Sequence, residues 1–146
     1  MEQVLIKSPL QVKWLDHIAL LVHDIDASIH FYKDILGLPI RGEEELRAGK
    51  RRFVQVNVGS QVVDLVPSAT FEPNPTGDAN QRGLTHFCLV IDAIEMEEVI
   101  AYLREQGVEV HGGPIRRGQR LSVDCYDPDN YFVELSTEVR DAHSVG

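Results

Sequence analysis

The sequence is short of positive charge, lacks long apolar runs and has few cysteines. Its 14 lysine and arginine residues face 23 aspartates and glutamates, a formal net charge of −9. Without a basic stripe, this charge argues against binding nucleic acid or an anionic membrane. No apolar run approaches the roughly 20 residues of a membrane helix, and the segment 1–7 lacks the features of a signal peptide. We therefore expect a cytoplasmic protein whose partners are small molecules or other protein chains.

The two cysteines, Cys88 and Cys125, are too few and too far apart for a disulfide framework or a zinc knuckle. Each lies in a sequence typical of a strand, so we predict two reduced, buried thiols. The length of 146 residues, with 43% hydrophobic residues, fits one domain over 1–146 or two halves that share one core.

One pattern of a strand, a helix and further strands occurs twice in the chain. In the first copy a strand carries His17 and the last strand carries Asp64, 47 positions later. In the second copy His86 and Glu134 take these places, 48 positions apart. Each helix is closed by a glycine, 20 or 21 positions after the histidine. Such agreement indicates an internal duplication.

The boundaries of the two copies follow from the strand and turn signals. Module 1 spans about 13–66 and module 2 about 84–137, and the proline- and glycine-rich segment 67–83 is the predicted linker. Asp24 is the predicted N-cap of the first helix, which Gly37 ends.

The remaining strands are predicted from alternating apolar residues and from turn signals. After the first helix we predict a strand over 38–46. In module 2, the sequence 112–114 (Gly-Gly-Pro) predicts a break before a strand over 120–126. Each module is therefore predicted to have the element order βαβββ.

The two histidines and two carboxylates define a candidate metal site. Curling the two half-sheets into a shared cup would bury their apolar sides and leave His17, Asp64, His86 and Glu134 on the inner wall. Imidazole and carboxylate ligands suit a divalent transition ion such as iron, manganese, nickel, cobalt or zinc. Four protein ligands leave two places in an octahedron, so a substrate with two neighbouring oxygens could chelate the ion.

The motifs in and around these strands resemble the vicinal oxygen chelate superfamily, which includes glyoxalases, bleomycin resistance proteins and extradiol dioxygenases. The resemblance covers roughly 13–137. It is carried by the segments 15–20 (LDHIAL), 28–32 (SIHFY) with 36–38 (LGL), 84–87 (LTHF), and 127–130 (DPDN) leading to 133–135 (VEL). It implies an α+β fold in which two tandem βαβββ modules form a cup-shaped, partly open mixed sheet, the glyoxalase/dioxygenase-like fold.

The resemblance also implies a ligand set. His17, His86 and Glu134 match metal ligands, and Asp64 stands where glyoxalase-like members carry glutamate or glutamine. Because aspartate is one methylene shorter, Asp64 either binds the ion directly or reaches it through water. Without Asp64, two histidines and one carboxylate remain, the pattern of non-haem iron(II) enzymes.

A homodimer is expected, partly because open sheet edges can be covered by a second chain. Short members of the superfamily often build each site from one module of each chain. The sequence leaves open whether one chain or two complete the site here.

The favoured function is a glyoxalase-like lyase or isomerase in which Glu134 or Asp64 moves a proton. Alternatives are an extradiol-type dioxygenase with iron(II), with His111 and Tyr126 managing protons, and a fosfomycin- or bleomycin-type resistance protein. The sequence patterns of the individual families do not decide between these functions. Leu21 stands where short bacterial glyoxalases carry arginine, and Ala19 stands where fosfomycin-resistance enzymes carry threonine.

Three further residues are candidate substrate contacts. Arg116 and Arg120, with Arg117 beside them, flank Gly118 in a segment that resembles the mobile, substrate-covering loop of the superfamily, and a guanidinium there could bind an anionic group. Tyr126 is the third candidate. Beyond the metal ion, the sequence predicts no bound cofactor.

Overall fold

The computed structural model describes residues 8–72 and 84–137. Much of the predicted linker and the C-terminal tail thus lies outside the described residues. In chain order the elements are β1 (His17–Val22), α1 (Ile25–Ile29), a π-helical segment (His30–Ile35), β2 (Ile40–Arg41), α2 (Glu43–Arg47), β3 (Val54–Val58), β4 (Gln61–Pro67), β5 (Phe87–Ile91), α3 (Met96–Glu105), β6 (Val110–Arg117), β7 (Arg120–Tyr126) and β8 (Phe132–Thr137). Across the two described ranges, no helix has the length and apolar character needed to cross a membrane.

The strands form two four-stranded mixed sheets of the same design. Their orders are β1-β4-β3-β2 and β5-β8-β7-β6. In each sheet the first and last strands of the module pair in parallel, and the other pairs are antiparallel. The predicted α+β class and paired βαβββ architecture are confirmed.

The strand register shows why the duplicated spacing matters. Asp64 on β4 lies opposite Ala19, and Glu134 on β8 lies opposite Cys88. Both partners come two positions after a histidine of their own module. Because side chains alternate across a strand, each carboxylate shares a face with its histidine. We call these the site faces of the two sheets.

The opposite faces of both sheets form the core with the helices. Alternate residues of β1, β3 and β4 are buried there, which removes apolar surface from water at roughly 25 cal/mol per Å². The buried members from module 1 include Leu20, Val22, Val54, Val56, Val63 and Leu65, and those from module 2 include Leu89, Val123, Val133 and Leu135.

The first helix begins and ends as predicted. The Asp24 side chain accepts hydrogen bonds from the backbone N–H groups of Asp26 and Ala27, which would otherwise lack partners in the first turn. The second half of the helix is π-helical, and the N–H of Leu36 donates to the carbonyl of Phe31. Gly37 then turns the chain with φ of 76°, which glycine adopts without a steric penalty.

The strand predicted over 38–46 is wrong beyond its first part. Only β2 forms there, and the chain then enters α2 after Gly42, whose φ is 88°. Three glutamates occupy the first turn of this helix and Arg47 its last turn, an arrangement that the helix dipole favours. Arg47 also contacts Glu43 at 3.2 Å and Asp26 at 2.7 Å.

The predicted break at 112–114 is also absent. β6 continues through these residues with shifts in register against β7. Gly118, with φ of 65°, lies in the turn that joins the two strands. The arginines placed in a loop therefore lie on or next to a β-hairpin, where strand alternation decides which way each one points.

Buried polar contacts join the two modules through the turn 127–130. The hydroxyl of Tyr32 donates to Asp127 Oδ2 at 2.6 Å, and Ser28 donates to Asp129 at 3.4 Å. The backbone N–H of His23 also donates to Asp129, at 2.9 Å. The turn of module 2 is thus bonded to the first helix of module 1 and to His23, the residue that follows β1.

Asp127 should make stability depend on pH. Burial raises its pKa to about 6, above the ordinary 3.8, against the lowering effect of three hydrogen bonds. The group thus favours folding most below pH 4, and this contribution is lost as the pH rises through about 6. The free energy of unfolding of Asp127→Asn, relative to that of the wild type, should therefore rise by as much as about 3 kcal/mol between pH 4 and pH 7.

Urea unfolding of both proteins at the two pH values measures this change. Because other titrating groups are common to both, their effects cancel in the difference. An equal difference at pH 4 and pH 7 would contradict the role given to Asp127.

Candidate metal centre

The first candidate half-site lies on the site face of module 1. His17 Nε2 is 3.9 Å from Asp64 Oδ2. Asp64 is only 9% exposed, and its Oδ1 is buried without a hydrogen-bond partner among the described residues. A buried carboxylate oxygen is costly to leave unpaired, so this atom is suited to an ion or a proton.

The second candidate half-site repeats this arrangement on module 2. His86 Nε2 is 3.6 Å from Glu134 Oε1. Glu134 is 8% exposed, and its other oxygen, Oε2, accepts from the Ser122 hydroxyl at 3.1 Å and the Cys88 thiol at 3.4 Å. Oε2 is therefore held by the protein, and Oε1 faces the histidine.

The residue before each histidine holds its other ring nitrogen. Asp16 Oδ2 lies 2.7 Å from His17 Nδ1, and Thr85 Oγ1 lies 3.2 Å from His86 Nδ1. The bond to Asp16, with the nearby charge of Asp64, raises the pKa of His17. A proton held on Nδ1 by Asp16 leaves Nε2 as the ligating atom, as in many metal-bound histidines. Sequence reasoning missed both partners, although each directly precedes a predicted ligand.

The two half-sites do not meet within one chain. Over 8–72 and 84–137, no three His, Cys, Asp or Glu side chains lie close enough to hold a metal ion together. The structure thus brings together His17 with Asp64 and His86 with Glu134, but does not unite the two pairs. Each pair nevertheless fits a divalent transition ion by its donor types and by the orientation of Nε2.

Arg117 is the guanidinium that reaches a carboxylate of the site. Its Nη1 contacts Glu134 Oε1, and its Nη2 lies 3.5 Å from Asp124 Oδ2. Arg116 pairs with Leu121 across the hairpin, on the face opposite to Glu134. Arg120 lies on the site face, where its charge partly offsets the rise that burial causes in the pKa of the Cys88 thiol. The sequence placed Arg117 in a loop as a possible anion contact, and its contact with Glu134 was missed because that segment was treated as a loop.

The two thiols differ. Cys125 is buried as predicted, but Cys88 is exposed. Cys88 lies on the site face beside Glu134, and partial burial, with the bond to Glu134, raises its pKa to about 11. The prediction of two buried thiols is therefore wrong for Cys88, because β5 turns that side of its strand toward the site and not toward the core.

Tyr126 lies in an aromatic group beside the second half-site. Its hydroxyl is 3.1 Å from His111 Nδ1, and both rings contact Phe132, with centroids 5.4 and 5.3 Å away. The Phe132 ring in turn lies 6.1 Å from that of His86. The structure therefore places the two residues considered for proton transfer near a predicted metal ligand.

Two βαβββ modules, each with a histidine facing a carboxylate, define a class of scaffold that presents paired half-sites on matching strands. Residues 14–135 match the model of the Glyoxalase/Bleomycin resistance protein/Dioxygenase superfamily. The chain therefore belongs to this superfamily.

Individual relatives agree with this assignment. The glyoxalase domain-containing protein RDO1 of Mycosarcoma maydis is 34% identical over 134 residues, covering 88% of this chain and 70% of the relative. The metallothiol transferase FosB of Staphylococcus epidermidis is 27% identical, covering 88% and 84%. The lactoylglutathione lyase of Salmonella typhimurium is also 27% identical, covering 86% and 93%.

A solved structure shows the same fold. A glyoxalase/dioxygenase from Nostoc punctiforme superposes with a TM-score of 0.72 at 24% identity, covering 95% of this chain and all of the other. At this identity the likeness concerns the fold alone.

Proposed function

We propose that the protein is a divalent-metal-dependent enzyme of the lyase or isomerase type, acting on a small substrate that chelates the metal through two neighbouring oxygens. The observation that carries this proposal is the pair of matched half-sites. In each, a histidine Nε2 faces a mostly buried carboxylate, at 3.9 Å in module 1 and 3.6 Å in module 2. A protein with only a binding or scaffolding role has no need for two such pairs.

The complete site is proposed to form between two chains. His17 and Asp64 of one chain would face His86 and Glu134 of a second copy, since the pairs do not meet within one chain. Exposed apolar residues support this dimer: Leu21 and Val90 each follow a histidine by four positions on the site face and are 46% and 52% exposed. Apolar residues repeated at matching places in both modules are typical of a surface that a partner covers.

The proposed roles of the residues follow from their surroundings. His17, His86 and Glu134 would hold the ion, with Asp64 as a fourth, more labile ligand. When bound, the metal supplies Lewis-acid polarisation of the substrate oxygens. Asp64 is the better proton carrier of the two carboxylates, because its Oδ1 has no partner in the described part of the chain, whereas Oε2 of Glu134 is held by Ser122 and Cys88.

One observation favours a second candidate, an extradiol-type dioxygenase with iron(II). That chemistry needs a proton-handling group near the metal, and the hydrogen-bonded pair of Tyr126 and His111 lies next to the ring that contacts His86. The relatives do not distinguish between these functions, because the lyase and the metallothiol transferase are equally similar to this chain. A fosfomycin- or bleomycin-type resistance protein is the remaining alternative, and we expect any of these to act in the cytoplasm.

Metal identification followed by an activity screen tests the proposal. We expect close to one divalent transition ion per chain, and turnover of a thiol adduct of a 2-oxoaldehyde with nickel, manganese, cobalt or zinc. Tight iron(II) with cleavage of a catechol would instead establish the dioxygenase. Inactivity toward every substrate class, combined with micromolar binding of a cationic drug, would reject the enzyme and support drug sequestration.

A further inference from the structure

We propose that Arg117 is an internal counter-ion that occupies the metal-binding oxygen of Glu134 and thereby limits metal affinity. This inference rests on the proposed metal site. It concerns a residue outside the proposed ligand set, and it predicts the unusual result that removing a side chain strengthens metal binding.

The first argument is that only one oxygen of Glu134 is placed for ligation. Oε2 accepts hydrogen bonds from Ser122 and Cys88, while Oε1 faces His86 Nε2 at 3.6 Å. The Arg117 guanidinium contacts this same Oε1. A metal ion bound between His86 and Glu134 would therefore meet Arg117 at its own ligand atom, and two cations would compete for one oxygen.

The second argument is the need for a counter-ion when no metal is bound. Glu134 pairs directly with Asp124 across β7 and β8, and both are buried. Two adjacent buried carboxylates repel each other when both are ionised. Arg117 contacts both carboxylates and offsets their charge.

The third argument is that Arg117 can leave Glu134 without losing every partner. Its side chain is 46% exposed, whereas that of Asp124 is 2% exposed. When a metal takes Oε1, the guanidinium can move toward solvent and retain Asp124. The arginine is then a positioning residue that gives way to the ion.

The described residues of module 1 contain no internal counter-ion of this kind. There Gln55 pairs with Asp64, at the place that Asp124 takes beside Glu134. Arg51 contacts the Gln55 side chain at 3.5 Å, and within 8–72 and 84–137 no arginine or lysine forms an ion pair with Asp64. The competition is therefore specific to the half-site of module 2.

Metal titration of Arg117→Gln tests the inference, with Arg116→Gln as the matched control. Arg116 is the adjacent residue on the same strand, points to the opposite face, and loses the same formal charge. Zn²⁺ affinity is measured for both and for the wild type with a competing chelator. We expect Arg117→Gln to bind Zn²⁺ about tenfold more tightly, the scale of one charge-assisted hydrogen bond, and Arg116→Gln to stay within about twofold of the wild type, as for an exposed charge.

Arg117→Lys provides a second variant, because it keeps the positive charge should the glutamine variant be too unstable to titrate. Lysine lacks the two-pronged contact with Glu134 and Asp124, so its affinity should lie between those of the wild type and Arg117→Gln. If the wild type binds Zn²⁺ and both Arg117 variants bind it with unchanged or weaker affinity, this inference is overturned while the metal site stands. Absence of Zn²⁺ binding in every variant would instead reject the metal site, and this inference with it.

Discussion

Replacing His86 by alanine is expected to remove the metal from the purified protein. His86 Nε2 faces Glu134 Oε1 at 3.6 Å, and its ring is held at Nδ1 by Thr85. Removal of a direct ligand should weaken binding by more than the roughly 10- to 100-fold that is typical for residues behind the ligands. Elemental analysis and a chelator competition assay measure the loss.

His30→Ala is the matched control for this experiment. His30 is an exposed histidine that pairs with Asp34, at 3.0 Å along the same helix. Its loss should leave metal content unchanged. If His86→Ala retains as much metal as His30→Ala, the candidate site of module 2 is not a metal site.

The duplication made much of the fold predictable. Equal spacing between His17 and Asp64 and between His86 and Glu134 means that the same strands carry the same roles in each module. Strand alternation then places each carboxylate on the face of its histidine, as the pairing of Ala19 with Asp64 confirms. Local patterns of this kind depend on period and spacing, which a sequence displays directly.

Features that depend on competing local signals were harder to predict. The segment 38–46 has apolar residues typical of a strand, but Gly42 and the following glutamates begin a helix instead. At 112–114, glycine and proline indicated a break, yet strand pairing across the hairpin continued with altered register. In both places the pattern was real, and tertiary pairing or capping determined the result.

Contacts within the candidate site depended on side-chain direction. Arg116 and Arg117 are neighbours of the same type, and only their register on β6 shows that Arg117 meets Glu134. Asp124 is likewise recognised as a neighbour of the site only through its pairing with Glu134. A one-position difference on a strand reverses the face, so a site residue cannot be chosen among adjacent arginines without the strand boundaries.

A mixture of two inactive variants should regain metal if the site forms between chains. In the proposed dimer, each site takes module 1 from one chain and module 2 from the other. His17→Ala and His86→Ala alone each disable both sites. In a mixed dimer, one site receives both damaged modules and the other receives two intact modules. Random pairing during coexpression should therefore restore about a quarter of the wild-type metal content.

A second pair of variants separates this result from general stabilisation. His86→Ala combined with Glu134→Ala damages module 2 in both chains, so no mixed dimer contains an intact site and no metal should return. If the site instead formed within one chain, neither combination would restore metal, because each chain would carry its own defect. Recovery by the first pair alone thus requires that the pair of His17 and Asp64 meets His86 and Glu134 across a dimer interface. Light scattering that shows only a 16.4 kDa monomer at micromolar concentration would rule out that arrangement.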